Sequence, residues 1–101
     1  MPGPTGPTGP TGGGGTITTR TSGITVPNPT VNVPIPVMAD CAADELVLGG
    51  GVRVDVADPR DVGRFHMQQD GPTDTGWLGQ VAATAAFHAS LTVTVTVYCG
   101  T

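Results

Sequence analysis

The chain has 101 residues and a net charge of −4, with eight acidic residues, four arginines and no lysine. This length leaves room for one small domain, and ten prolines and sixteen glycines leave little room for long helices. Neutralising phosphates requires clustered Lys and Arg, so the composition argues against nucleic acid as a partner. No apolar run approaches the ~20 residues of a membrane span, so no membrane partner is predicted.

The first fifteen residues carry glycine at every third position: Gly3, Gly6, Gly9, Gly12 and Gly15. Three of the triplets read Gly-Pro-Thr, and strict Gly-X-Y with proline is typical of collagen. Only glycine fits at the axis where three chains meet, so residues 1–15 predict a triple-helical stem about 40 Å long. A flexible Gly/Pro linker is the alternative. So few triplets should not hold together alone, which predicts a trimerising domain downstream.

Residues 16–40 predict extended structure. Two short β segments, 16–20 and 24–26, flank Ser22-Gly23, and Pro27-Asn28-Pro29 predicts a turn. Residues 31–37 alternate apolar side chains with Pro34 and Pro36, and proline cannot donate to a ladder. We therefore expect an edge strand or an extended crossing segment there. These residues form either a linker with first strands or one domain with the head predicted at residues 41–101.

The head is predicted to be all-β. Residues 41–48 allow at most one turn of helix, and Gly49-Gly50-Gly51 suggests a bulge or a close backbone approach. Strands are predicted at 52–56, 65–69 and, despite its alanines, 77–87, separated by loops at 58–63 and 70–76. In residues 91–99 Val, Leu and Cys alternate with Thr and Tyr, which is typical of a half-buried antiparallel strand. Together these elements predict a small antiparallel β-sandwich or jelly-roll-like head.

Cys41 and Cys99 are the only cysteines, 58 residues apart. A disulfide between them would close most of the domain and stabilise it by roughly 4 kcal/mol. Two buried free thiols are the alternative. Neither cysteine has a CxxC neighbour, so no metal knuckle is predicted.

No residue set predicts catalysis or a cofactor. His66 and His88 lack metal-ligand spacing. Asp55, Asp58 and Asp61 lack the spacing and closing glutamate of an EF-hand. There is no nucleophile elbow or triad pattern.

Trp77 follows the loop containing Asp70 and Asp74, so these three residues are candidate ligand contacts, with Trp77 stacking on a sugar. A core or interface anchor is the alternative for Trp77.

The Gly-Pro-Thr triplets resemble the collagen-like stalks of bacterial and phage surface proteins, in which a stalk precedes a trimerising β head. Cys41 with Leu48-Gly49-Gly50-Gly51, then Pro72, Trp77 and the run from Thr94 to Cys99, resembles a small C-terminal domain of actinobacterial and actinobacteriophage fibre or decoration proteins. The second resemblance covers residues 41–99 and implies no catalytic residue. It departs from the pattern at Asp70-Gly71, where a serine is expected ahead of the proline.

These features predict a homotrimeric, non-enzymatic protein of a bacteriophage surface, such as a short fibre, a tail-tip element or a capsid decoration. Its predicted partners are its own copies and other virion structural proteins, and its predicted location is the virion surface, outside a cell. The N-terminus lacks a signal-peptide pattern, so we expect release by lysis. A receptor- or glycan-binding head is the alternative function.

Overall fold

The structure, a computed structural model, describes residues 15–101 as an all-β head. Its six strands, β1 to β6, are Ile17–Val26, Ile35–Asp40, Leu46–Val56, Phe65–Pro72, Gly76–Ala83 and Leu91–Gly100, with a short 3₁₀ helix at Pro59–Asp61. They form two three-stranded antiparallel sheets. Sheet A has the order β1-β6-β3 and sheet B the order β2-β5-β4. The predicted all-β class is confirmed, whereas residues 1–14 of the stem predicted at residues 1–15 lie outside the described residues.

The core lies between the two sheets, in a sandwich-like arrangement. Strand β6 is central in sheet A, and the alternation predicted there is confirmed, because every second side chain is fully buried: Leu91, Val93, Val95, Val97 and Cys99. These side chains pack against Ile35 and Val37 of β2 and Val81 of β5. Burying a valine contributes about 1.5–3 kcal/mol, so this one strand supplies much of the hydrophobic stabilisation.

Strand β1 is longer than predicted. Instead of two short segments around Ser22-Gly23, one strand runs from Ile17 to Val26 and pairs along its whole length with β6. Gly23 does not turn the chain but pairs with Thr94. The ten-residue ladder of β6 overrides the local turn preference, because a break in β1 would leave backbone groups of β6 unpaired.

Strand β2 begins later than the alternation from Val31 predicts. Asn32 has a left-handed backbone (φ 65°), and its N–H donates to the Ala83 carbonyl at 2.8 Å. This kink leaves Val31 and Val33 exposed, and the strand begins at Ile35. As predicted, the proline-containing strand is an edge strand, beside β5.

Two other boundaries differ from the sequence prediction. Residues 41–45 form a turn, closed by the Glu45 N–H bonding to the Ala42 carbonyl at 3.0 Å, and the glycine triplet lies inside β3. The ladder between β3 and β6 shifts between Val47 and Gly49, which is the predicted bulge. Strand β5 ends at Ala83, not near residue 87, because its partner β4 begins at Phe65 and the last backbone bond between them runs from the Thr84 N–H to the Arg64 carbonyl at 2.8 Å.

Candidate functional site

The predicted stem joins the head at one end of sheet A. Thr16 and Thr101 exchange hydrogen bonds of 3.2 Å, and the next residue, Ile17, pairs with Gly100. Leu46, the first residue of β3, pairs with Gly100 from the other side. We call this end of the sandwich the stem end. The opposite end, where Val26, Leu91 and Val56 pair, is the distal end.

A disulfide joins the two sheets at the stem end. Cys41 follows β2 of sheet B, Cys99 lies in β6 of sheet A, and their Cα atoms are 5.6 Å apart. Cys41 N–H also donates to the Thr75 carbonyl at 2.8 Å, which ties the β4–β5 hairpin to the same point. The predicted bridge is confirmed, and it fixes the end of the head at which the chain enters from residues 1–15.

An ion pair reinforces that end. Arg20 of β1 donates from Nε and from one terminal nitrogen to the two carboxylate oxygens of Glu45, at 3.0 and 2.9 Å. Glu45 also accepts from the Ala42 N–H at 2.7 Å. The hydrogen bonds from Arg20, then that from Ala42, hold the pKa of Glu45 below its ordinary value. The pair clamps the β2–β3 loop onto β1.

One group of metal-type side chains occurs in the described residues, and it is not a metal site. The sulfurs of Cys41 and Cys99 and a carboxylate oxygen of Glu45 lie within 4.8 Å of one another. Because the two sulfurs are bonded to each other, neither is a thiolate ligand. One carboxylate, already paired with Arg20, is not the three- or four-donor set that a bound transition metal requires.

The structure brings two of the three candidate ligand contacts together. Trp77 Nε1 donates to Asp70 Oδ1 at 2.7 Å, whereas Asp74 is exposed in the hairpin loop. The indole of Trp77 is half-buried and packs on the core beside Gly50. The arrangement therefore makes Trp77 an anchor between the sheets. Sugar stacking on it stays a prediction.

A buried carboxylate organises the distal end, and the sequence reasoning missed it. Asp61 is fully buried and accepts hydrogen bonds from the backbone N–H groups of His88 and Ala89, at 3.0 and 3.1 Å. His88 Nδ1 lies 2.8 Å from Asp61 Oδ1. Burial opposes ionisation, but these bonds outweigh it and hold the pKa of Asp61 below its ordinary value. The local signal was Asp58-Pro59, which caps the short helix that places Asp61.

The three aspartates at the distal end, Asp55, Asp58 and Asp61, each bind a different partner and do not converge on one site. Asp58 binds Arg60, with the closest contact at 2.7 Å, and this partner lowers its pKa to about 2. Asp55 pairs with Arg53. Within residues 15–101 no hydroxyl or thiol is hydrogen-bonded to His88, so the Asp61–His88 pair orients a ring without a nucleophile beside it. Its evident role is to fasten the β5–β6 loop.

Comparisons with known protein families, with curated proteins and with solved structures find no match. Among residues 15–101, no helix has the length and hydropathy needed to cross a lipid bilayer.

Proposed function

We propose that the chain is a non-enzymatic structural protein of a bacteriophage particle, a homotrimer in which a short collagen-like stem carries a β head. It would serve as a short fibre, a tail-tip element or a capsid decoration. The observation that carries this proposal is the direct succession of a Gly-X-Y segment and a disulfide-tied β head. A triple-helical period has no use in a single chain.

The construction of the head supports a presenting role. The two sheets and the disulfide hold the stem end together. The Arg20–Glu45 pair fastens a loop to strand β1, and the Asp61–His88 contacts fasten one loop to another. A rigid end of this kind would keep the few Gly-X-Y triplets of three chains in register with one another.

Purified particles test the location. A phage lysate is fractionated, and the particles are examined by peptide mass spectrometry and by antibody labelling in electron microscopy. We expect the chain in the particle fraction, with label at defined positions on capsid or tail. Recovery only in the soluble fraction would overturn the structural role.

The second candidate function is glycan binding by the head. The exposed carboxylates of Asp70 and Asp74 favour it, because they offer hydrogen-bond acceptors to sugar hydroxyls beside the half-buried indole of Trp77. A glycan array with the wild type and with Asp70→Ala and Asp74→Ala separates the two functions. If the wild type binds a glycan and these variants do not, the head is a receptor-binding head. If the wild type binds no glycan, the structural role is favoured.

A further inference from the structure

Four large apolar side chains are exposed together on the outer face of sheet A at the stem end. Their exposed fractions are 68% for Ile17, 71% for Leu46, 57% for Leu48 and 45% for Tyr98. We call these four residues the apolar patch.

The strand register places the patch around Gly100. Ile17 and Leu46 pair with Gly100 from its two sides, and Tyr98 is two residues back on the same face. Leu48 is the extra residue of the β3 bulge, and it covers Gly100 so closely that a Cβ there would lie 2.7 Å from Leu48 Cδ1. Leu48 therefore adds a third aliphatic side chain to the outer face beside Ile17 and Leu46.

The rest of this outer face is polar. Toward the distal end β6 presents Thr92, Thr94 and Thr96, and β3 presents Arg53 and Asp55. On the outer face of sheet A, the exposed apolar side chains are therefore confined to the stem end. Contiguous exposed apolar side chains with a polar surround are typical of protein contact sites.

The reach of the chain places the patch next to the stem axis. Ile17 follows Gly15, the last glycine of the period, by two residues, and two extended residues span at most about 7 Å. Even from Thr11, which ends the last Gly-Pro-Thr triplet, six extended residues reach at most roughly 20 Å. In a trimer, three copies of Ile17 must therefore lie near one another.

Charge determines which face turns toward that axis. The outer face of sheet B carries Asp40 at its stem end, and Asp74 lies in the adjoining hairpin loop, so facing the axis with that sheet would bring six carboxylates together. Like charges at a contact oppose association. The four residues of the apolar patch carry no charge, and of the acids beside them Glu45 is paired with Arg20 whereas Asp44 lies in the β2–β3 loop.

We propose that the apolar patch is the surface by which each head packs against the two other copies of this chain around the stem axis. This inference rests on the trimer of the proposed function and adds the contact that holds its heads in register. A closed three-fold ring uses such a contact three times, once between each pair of neighbouring heads.

Matched substitutions in the full chain test the contact. Leu46→Glu places a charge in the patch, and Val62→Glu places one on a side chain of equal exposure, 70%, in the distal β3–β4 loop. Masses are measured by sedimentation equilibrium across a concentration series, and folding is checked by near-UV circular dichroism. We expect Leu46→Glu to raise the concentration for half-assembly roughly tenfold or more, because burying an unpaired charge is costly. Val62→Glu should assemble like the wild type.

A photo-crosslinker at position 98 identifies what covers the patch. We expect links from that position to residues 17, 46 or 48 of another chain, shown with mixed light and heavy isotope-labelled protein. Links only to residues 1–14 of the same chain would overturn the proposal. Unchanged assembly of a folded Leu46→Glu variant would also overturn it while leaving the trimer intact, whereas a monomeric wild type would overturn the trimer itself.

Discussion

Trp77 of sheet B lies directly against the backbone of Gly50 in sheet A. A Cβ at Gly50 would lie 2.6 Å from Trp77 Cδ2 and 2.5 Å from the Thr96 carbonyl oxygen. The indole also donates to Asp70, so one side chain joins the two sheets and the edge strand β4. The glycine is needed here because of space and not because of backbone angles.

Gly50→Ala is expected to lower the free energy of unfolding by roughly 1–3 kcal/mol, because the added methyl group has no room and the sheets must shift. Urea unfolding followed by Trp77 fluorescence measures it. Gly51→Ala is the control, since a Cβ at Gly51 would meet no atom within 4 Å. Equal effects of the two substitutions would contradict the packing described here.

Removing the disulfide is expected to destabilise the head by about 4 kcal/mol, because the bridge closes a loop of 58 residues in the unfolded chain. The double variant Cys41→Ser, Cys99→Ser is compared with the wild type by urea unfolding, with and without reductant. The reduced wild type should match the variant. A variant as stable as the oxidised wild type would show that the bridge does not constrain the unfolded chain.

Acid is expected to destabilise the head below about pH 4. The pKa values of Asp61, Glu45 and Asp58 are lower in the folded chain than in the unfolded one, that of Asp58 reaching about 2. A lowered pKa gives stability that is fully present above the unfolded value, near 4, and that is lost as the pH falls through the folded value.

Unfolding midpoints measured from pH 6 to pH 2 test this dependence. Asp58→Asn should flatten the acid part of the profile, because the variant no longer has the carboxyl whose pKa Arg60 lowers. A wild-type midpoint that stays constant down to pH 2 would be inconsistent with these carboxylates being bound in the folded state.

Val95→Asp is expected to prevent folding. Val95 is fully buried in the middle of β6, and an unpaired buried carboxylate costs several kcal/mol. Thr94→Asp is the control, since Thr94 faces outward and pairs with Arg53. Circular dichroism and limited proteolysis compare the two variants. A folded Val95→Asp head would mean that the strand is less tightly packed than its burial implies.

Gly9→Val is expected to disrupt the stem and leave the head folded, since a side chain does not fit at a triple-helical axis. The polyproline-II signal in far-UV circular dichroism should fall while the near-UV signal of Trp77 persists. Loss of both signals together would show that the head depends on the stem for folding.

The sequence predicted those features that one strand or one residue type determines. The alternation of β6 and the prolines of the edge strand β2 are local, and both are confirmed. The boundaries of β1 and β5 were wrong, because they depend on partner strands: β6 pairs along the whole of β1, and β4, which begins at Phe65, sets the end of β5.

The site residues follow the same division. The pairing of Cys41 with Cys99 needs no geometry when only two cysteines are present. In contrast, the pairing of Asp61 with His88 and of Arg20 with Glu45 joins positions 27 and 25 residues apart. No spacing rule in the sequence links such positions, because they become neighbours only when the strands have assembled into the two sheets.

The mass of the full chain in solution shows whether three copies assemble. Sedimentation equilibrium at micromolar concentration, below the melting temperature of the stem, measures it without reference to shape. We expect three times the chain mass of 10.1 kDa. A single species of 10.1 kDa across the concentration range would contradict this expectation.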